Sequence, residues 1–247
     1  MNIAIILPTY NEKENIVLLM PALQKLFQSL PHTFTIVVVD DNSPDGTAEV
    51  ICNFQHDYTN IILLEGEGRG LGAAYIKGMK YVLNKLKTDA VMEMDADFSH
   101  KPEDIPRLIS ELNEANFVIG SRYIPGGRYI PGGKCSHGWS LVRILISKWG
   151  NMCARYIGGM CSIRDCTSGF RIISAEILAK IDFNKLHSRG YCFQVSLLHS
   201  AIVNGAIIKE IPIEFIERQR GVSKLGFFDI LEFIVRIWTI RFEKIRG

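Results

Sequence analysis

The sequence predicts an α/β fold with a mostly parallel central sheet and helices on both faces. Three observations carry this expectation. Short β-branched runs alternate with longer stretches of helical pattern through the N-terminal half. The runs are apolar almost throughout, as strands are when both faces of a parallel sheet are covered. Each run then gives way to a polar, glycine- or aspartate-rich stretch. These stretches are PTYNE, DDNSPDG, EGEGRGLG, DADFSH and SRYIPGG, and they fall at the carboxyl ends of strands, where such sheets hold their ligands.

Taken in order, strands are expected at residues 3–7, 34–40, 60–65, 90–95 and 116–121. Helices are expected between them at residues 13–29, 46–54, 71–87 and 103–114, the second announced by the turn sequence SPDG. The second half is less regular. Residues 140–158 read as a helix in which Arg143, Ser147, Asn151 and Arg155 recur every four positions, with Leu145, Trp149, Met152, Cys153 and Tyr156 filling much of the rest. Residues 207–216 read as a strand, with Pro212 pointing to a sheet edge. Residues 227–242 read as a helix with Phe228, Leu231, Ile234, Val235 and Trp238 on one side and Arg236 and Arg241 among them. That pattern suits packing on the domain and lying on a bilayer about equally. The hexapeptide RYIPGG occurs twice in tandem at residues 122–133. Its Pro-Gly-Gly steps disfavour regular structure, so a flexible loop is expected at residues 123–137, with Arg128 a spare cation of lesser role than Arg122.

The chain has 247 residues, 47% hydrophobic and 22% charged, with a formal net charge of +2. This suits one folded domain with a sizeable core. The charge is unevenly spread. No acid lies between Glu114 and Asp165, a window that holds Arg122, Arg128, Lys134, Arg143, Lys148, Arg155 and Arg164. Such a window fits an anionic partner, phosphate or membrane headgroups; no nucleic-acid partner is expected. The six cysteines form no CxxC pair and read as small core residues in a reducing compartment. The opening MNIAIILPTYNE stops being apolar at a proline, and no apolar stretch approaches the ~20 residues of a membrane span. A cytoplasmic protein, attached at most to a membrane surface, is expected.

The most informative stretch is EMDADFSH at residues 93–100. A buried strand ending at Met94 would deliver Asp95 and Asp97 to the sheet edge, on one side if the backbone stays extended. Two carboxylates so close repel unless a cation sits between them, and Mg²⁺ or Mn²⁺ held by carboxylates and substrate phosphates fits. Ser99 and His100 are candidates for a further ligand or for orienting a water. Asp40 and Asp41 end another strand and could accept hydrogen bonds from a base or ribose, while Pro44, Asp45 and Gly46 make the turn. In PTYNE, Tyr10 could pack on a base and Glu12 take ribose hydroxyls, or Glu12 could be a first-turn helix acid. Gly68, Gly70 and Ala73 match a G-x-G-x-x-A dinucleotide pattern, but after the third strand, so a tight loop near a nucleotide is the better reading. Arg218, Arg220 and Lys224, around Gly221, could clamp phosphates.

Together, PTYNE, VVDDNSPDGT, GRGLGAA, MDADFSH, GSRY, SGFR, GYCFQ and ERQRGVSKLG resemble, in this order and over nearly the whole chain, the dolichyl-phosphate mannosyltransferases. These are polyprenol-phosphate-mannose synthases of the inverting family-2 glycosyltransferase type. The resemblance implies a GT-A fold in one domain over residues 1–247. Residues 1–121 would form the nucleotide-sugar half, 122–217 the acceptor half, and 218–247 a phosphate-binding loop and amphipathic helix. It implies that GDP-mannose is held by Pro8, Tyr10, Glu12, Val39, Asp41 and Gln194. Asp95, Ala96 and Asp97 match the catalytic DxD, and Asp97 and Ser99, with Asp95 close by, match the site of Mg²⁺ or Mn²⁺. Arg122, Arg218 and Lys224 match phosphate-contacting positions; Arg143 and Ser147 match the residues that receive the polyprenyl phosphate. The acceptor phosphate is already ionised near neutral pH, so no general base is required. UDP-glucose or another sugar nucleotide is an alternative donor. Sugar-nucleotide synthesis is a distant alternative, because PTYNEKEN stands where such enzymes carry a glycine- and arginine-rich phosphate loop. Peripheral attachment to the cytoplasmic face of a membrane follows from the same likeness; the sequence specifies no anchoring subunit.

Overall fold

A computed structural model of the chain describes residues 1–130, 139–186, 190–216, 233 and 235–240. Five strands fall where the apolar runs place them: β1 (Asn2–Thr9), β2 (Thr33–Asp40), β3 (Ile61–Glu65), β4 (Ala90–Glu93) and β5 (Phe117–Ser121). Between them lie α1 (Lys13–Phe27), α2 (Thr47–Asp57), α3 (Leu71–Lys85) and the short α4 (Ile105–Ser110), which is flanked by 3₁₀ turns. The second half adds β6 (Arg128–Ile130), α5 (Trp139–Tyr156), β7 (Arg171–Ser174), α6 (Ala175–Ala179), α7 (Gly190–Val203), β8 (Ile208–Pro212) and β9 (Glu214–Ile216).

The main sheet runs β3-β2-β1-β4-β7-β5-β8. All its pairings are parallel except those of β7, which is antiparallel to both β4 and β5. The alternation of side chains across each strand divides the core in two. Along β1, Ile3, Ile5 and Leu7 pack with Ile16, Leu19, Met20 and Leu23 of α1. Ala4 and Ile6 point the other way, onto Ala74, Tyr75, Met79 and Val82 of α3. The second face is completed by α7, whose Phe193, Leu197 and Leu198 are fully buried. The sheet is thus covered on both sides, which is why its strands are apolar throughout. No helix among the described residues is long and apolar enough to cross a membrane.

The fold adds to or departs from the sequence reading in three places. The strand at residues 207–216 is broken at Ile213 into β8 and β9. β8 forms the edge of the main sheet, as Pro212 indicated, and β9 pairs in parallel with β6 in a separate two-stranded ribbon. The described part of the expected flexible loop, residues 123–130, contains a turn and a short strand. The Gly127 amide donates to the Ile124 carbonyl at 2.9 Å, and the second Arg-Tyr-Ile is strand β6, with Arg128 ion-paired to Glu214. The rest of that loop, residues 131–137, lies outside the described residues. β7 and α7 were not foreseen. β7 is only four residues long, and residues 192–199 of α7 are buried on every side, which erases the amphipathic pattern. Of the helix expected at residues 227–242, residues 233 and 235–240 are described and are helical.

The first RYIPGG folds into a turn that leaves no room for a side chain at its last position. A Cβ on Gly127 would lie 2.3 Å from the Ser121 carbonyl oxygen. Gly127→Ala should therefore lower stability by about 1–3 kcal/mol, measured by urea denaturation; an unchanged midpoint would show that the turn does not need this approach.

Candidate active site

The carboxyl ends of β1, β2 and β4 open on one edge of the sheet. Two adjacent aspartates at the end of β2 do different work. Asp40 is buried and accepts from the Thr9 hydroxyl at 2.8 Å, the Ser43 hydroxyl at 2.6 Å and the Ser43 amide at 2.9 Å. It holds the β1 and β2 ends together. Asp41 accepts from the amides of Gly68 (2.6 Å) and Gly70 (3.0 Å), so the glycine-rich stretch wraps a carboxylate of its own chain. Gly66 makes the wrap possible, since a Cβ there would lie 2.5 Å from Asp41 Oδ1. Beside them, Asp45 accepts from Thr47 and from the Lys13 amide, and the Glu12 amide donates to Thr47 Oγ1. The segments Tyr10–Lys13 and Asp45–Thr47 are thereby sewn into one rim, with Tyr10 on the surface at 42% exposure and Pro8 half-buried. Val39 is fully buried against α3, so its side chain serves the core.

Strand β4 ends at Glu93, short of the expected Met94 or Asp95, and the chain does not stay extended through Asp97. Phe98 has φ 61°, and Asp97 Oδ1 accepts from the Ser99 amide (3.1 Å) and hydroxyl (2.5 Å). Asp95 receives the Tyr75 hydroxyl at 3.3 Å. Its amide donates to His100 Nδ1 at 3.0 Å, which leaves the imidazole proton on Nε2. Burial pushes the His100 pKa down, and its ring stacks on Phe170 at 4.8 Å. His100 therefore supports the aspartate turn through Nδ1, while its Nε2 lies 3.9 Å from Asp95 Oδ2. Ala96 is buried beneath the turn.

The donors that remain are two carboxylates and a hydroxyl: Asp95, Asp97 and Ser99. No group of three or more His, Cys, Asp or Glu among the described residues is placed to hold a metal ion. Hard oxygen ligands in so small a number fit Mg²⁺ or Mn²⁺ only when substrate phosphates complete the shell.

Arg122 was expected to meet phosphate. Its guanidinium makes a buried bidentate pair with Asp165, both contacts 2.8 Å, and a 2.9 Å bond to Thr167 Oγ1. Its amide donates to the same carboxylate. Burial raises the pKa of Asp165, but the charge and hydrogen bonds of Arg122 more than offset this and leave it lowered. Arg122 is thus neutralised by a residue that the sequence marked only as the end of the acid-free window.

Behind the aspartate turn lies a polar layer that sequence reasoning missed. Glu93 on β4 stands opposite Arg171 on β7, both fully buried. Arg171 donates to the carbonyls of Gln194 (2.7 Å) and Cys166 (2.6 Å). Glu93 lies close enough to the Gln194 side-chain amide for that amide to favour its ionised form, but neither group makes a hydrogen bond of ordinary geometry. Burial pushes the Glu93 carboxyl up to about 7, with Arg171 and Gln194 opposing. Gln194, expected at the nucleotide sugar, is 3% exposed and lies in this layer. Gly169 reaches the site from the other side; a Cβ there would lie 3.5 Å from Gln194 Nε2 and 3.9 Å from Asp95 Oδ2.

Ser147 of α5, expected at the acceptor phosphate, lies 2.8 Å from the Tyr123 hydroxyl. Asn151, one turn on, pins residues 164–166: its side chain donates to the Arg164 carbonyl and accepts from the Cys166 amide. Arg143 is on α5, but its side chain is outside the described residues, as are Arg218 and Lys224.

Two measurements test this layout. Arg122→Ala would leave Asp165 charged and buried, and should cost roughly 3–5 kcal/mol of stability. Lost activity with undiminished stability would instead favour a direct phosphate contact. For Glu93, the folded chain retains a proton that the unfolded chain releases between the ordinary carboxyl pKa of 4.5 and about 7. This carboxyl's contribution to stability therefore falls as pH rises through that window. Glu93→Gln should gain up to ~3 kcal/mol over the parent at high pH, a gain that fades toward pH ~5; a gain independent of pH would overturn the assignment.

The family model described as glycosyl transferase family 2 matches residues 4–182. The chain is 38% identical to a polyprenol monophosphomannose synthase of Mycolicibacterium smegmatis, over 98% of this chain and 89% of that one. It is 36% identical to an undecaprenyl-phosphate mannosyltransferase of Micrococcus luteus, over 100% and 98% respectively. Among solved structures it is similar to Mycobacterium tuberculosis glucosyl-3-phosphoglycerate synthase in complex with Mn²⁺, uridine diphosphate and glucosyl-3-phosphoglycerate. That likeness has a TM-score of 0.65 at 16% identity and covers 97% of this chain and 79% of that one. The fold is accordingly the GT-A fold of glycosyltransferases, and the chain is an enzyme that belongs to glycosyl transferase family 2.

Proposed function

We propose that the enzyme transfers mannose from GDP-mannose to a polyprenyl phosphate, with inversion, giving polyprenyl phosphate mannose and GDP. One observation carries the acceptor half of this reading. The helix that bears Ser147 also bears Leu145, Trp149, Met152 and Tyr156, spaced along one face and all at least 42% exposed. Lys148 beside them is exposed as well. Val235 and Trp238 are exposed on the C-terminal helix, whose Phe233 packs against α5 at Gly150. Apolar and aromatic side chains edged with lysine suit the surface of a bilayer, where a polyprenyl chain resides. The two full-length relatives, named for polyprenol and undecaprenyl phosphate, support the same acceptor class.

In this reading Pro8, Tyr10, Glu12, the Val39 main chain and Asp41 hold the nucleoside at the β1–β2 rim. Asp95 and Asp97, with Ser99, would hold Mg²⁺ or Mn²⁺ against the diphosphate, where the ion supplies positive charge to the leaving group. Arg218 and Lys224 approach the same phosphates. Arg143 and Ser147 hold the acceptor phosphate so that one of its oxygens attacks the anomeric carbon. The C–O bond to the nucleoside diphosphate breaks on the opposite face and takes its electron pair with it. Because the acceptor oxygen is already anionic, no proton need be removed, which suits a site where the described histidine beside the aspartates, His100, is buried with its pKa lowered. The enzyme then works at the cytoplasmic face of a membrane without spanning it.

Purified enzyme given a divalent cation, a polyprenyl phosphate and separately labelled sugar nucleotides should move label into the lipid phase from GDP-mannose. Transfer from UDP-glucose alone would replace the donor, and formation of a sugar nucleotide would replace the reaction. Asp97→Ala should lower the rate by at least on the order of a hundredfold. Flotation with anionic liposomes should recover the protein at low salt, and Trp149→Glu should weaken binding at least about tenfold; binding indifferent to both salt and this substitution would count against the membrane face.

A further inference from the structure

We infer that Tyr123 is a positioning residue that sets Ser147 at the acceptor phosphate, an inference that rests on the reading above. Tyr123 follows Arg122 directly, so its backbone starts from a locked point. The Arg122 amide and guanidinium both engage Asp165. The Arg122 guanidinium carbon also lies 5.2 Å from the Tyr123 ring centroid and 5.4 Å from that of Phe215, a cation packed between two aromatic rings. After Tyr123 the chain is tied again, by the Gly127–Ile124 turn closing against Ser121. The phenol is therefore a short strut with both ends of its backbone held, and its hydroxyl meets Ser147 Oγ at 2.8 Å.

This hydrogen bond ties the RYIPGG turn to α5. It joins the β5 end, next to the Asp165 pair, to the middle of the helix proposed to receive the acceptor. A phenolic O–H is more acidic than an aliphatic one and so the better donor. With Tyr123 donating, the Ser147 proton is directed away from the phenol, toward an anion lying along the helix. Tyr123 thereby fixes where Ser147 stands and which way it donates. In the second repeat the backbone of Tyr129 lies in β6, in register with Phe215 of β9. The two identical hexapeptides thus divide into a strut and a strand.

Tyr123→Phe removes the hydroxyl and keeps the ring beneath Arg122, so the fold should stand. With a short-chain polyprenyl phosphate as acceptor, this variant should raise the acceptor KM about 3–10-fold, the range of one neutral hydrogen bond. The sugar-nucleotide KM and the melting temperature should stay near the parent's. Ser147→Ala should do the same, and the double variant should be no worse than either single one, because the two share one interaction. An acceptor KM raised by Ser147→Ala but not by Tyr123→Phe would overturn this inference and leave the acceptor reading standing. If neither variant changes the acceptor KM, the acceptor does not lie at Ser147, and both fall. Additive effects, or a loss of melting temperature with both KM values raised, would also overturn it, by making Tyr123 merely structural.

Discussion

The site depends on the buried ion pair between Arg122 and Asp165. Removing two charges from water is expensive, and only good geometry with additional hydrogen bonds offsets it. Here the guanidinium is bidentate, the Arg122 amide adds a third bond and Thr167 a fourth. Glu210 on β8 in turn accepts from the amides of Arg164 and Asp165, at 2.8 and 2.9 Å. The pair therefore joins the end of β5, the segment before β7, and the edge strand β8. From this joint the Tyr123 turn, the Asn151 contact on α5 and the approach of Gly169 to the aspartate turn all take their positions.

A second constraint lies one layer deeper. β7 runs antiparallel between β4 and β5 and so sets Arg171 opposite Glu93, two residues before Asp95. Buried polar groups left unbonded are unfavourable, and folded proteins tolerate few of them. Their concentration at Glu93, Gln194 and His100 Nε2 sets this region apart from the aliphatic packing of the rest of the sheet. The DxD aspartates rest on a charged and polar floor, while the rest of the sheet rests on aliphatic side chains.

The tandem repeat shows how little local sequence decides once an element is placed. Both copies read RYIPGG. The first Arg-Tyr follows β5 and meets Asp165 and Ser147; the second meets Glu214 and forms a short parallel strand. Identical residues take different structures because the first copy is attached to the sheet and the second is placed by the turn that ends the first. Pro-Gly-Gly serves as a tight return, with Gly126 at φ 87°, a backbone state that only glycine adopts readily.

The sequence by itself determined the fold class, the first five strands, the helices between them and the two aspartates at the end of β4. Those features depend on periodicity and chain order, which are local properties. It also marked α5 through a row of residues four apart. It was silent on β7 and α7, because a four-residue strand and a helix buried all round carry no periodic signal. Only the tertiary structure decided which charges are spent within the protein. Arg122 is neutralised by a residue 43 positions away, and Asp41 is wrapped by glycine amides 27 and 29 positions on. Glu93 meets Arg171 only because β7 inserts between β4 and β5. A charged residue reads alike in sequence whether it faces a ligand or a partner in its own chain, and only folding brings the partner close enough to tell.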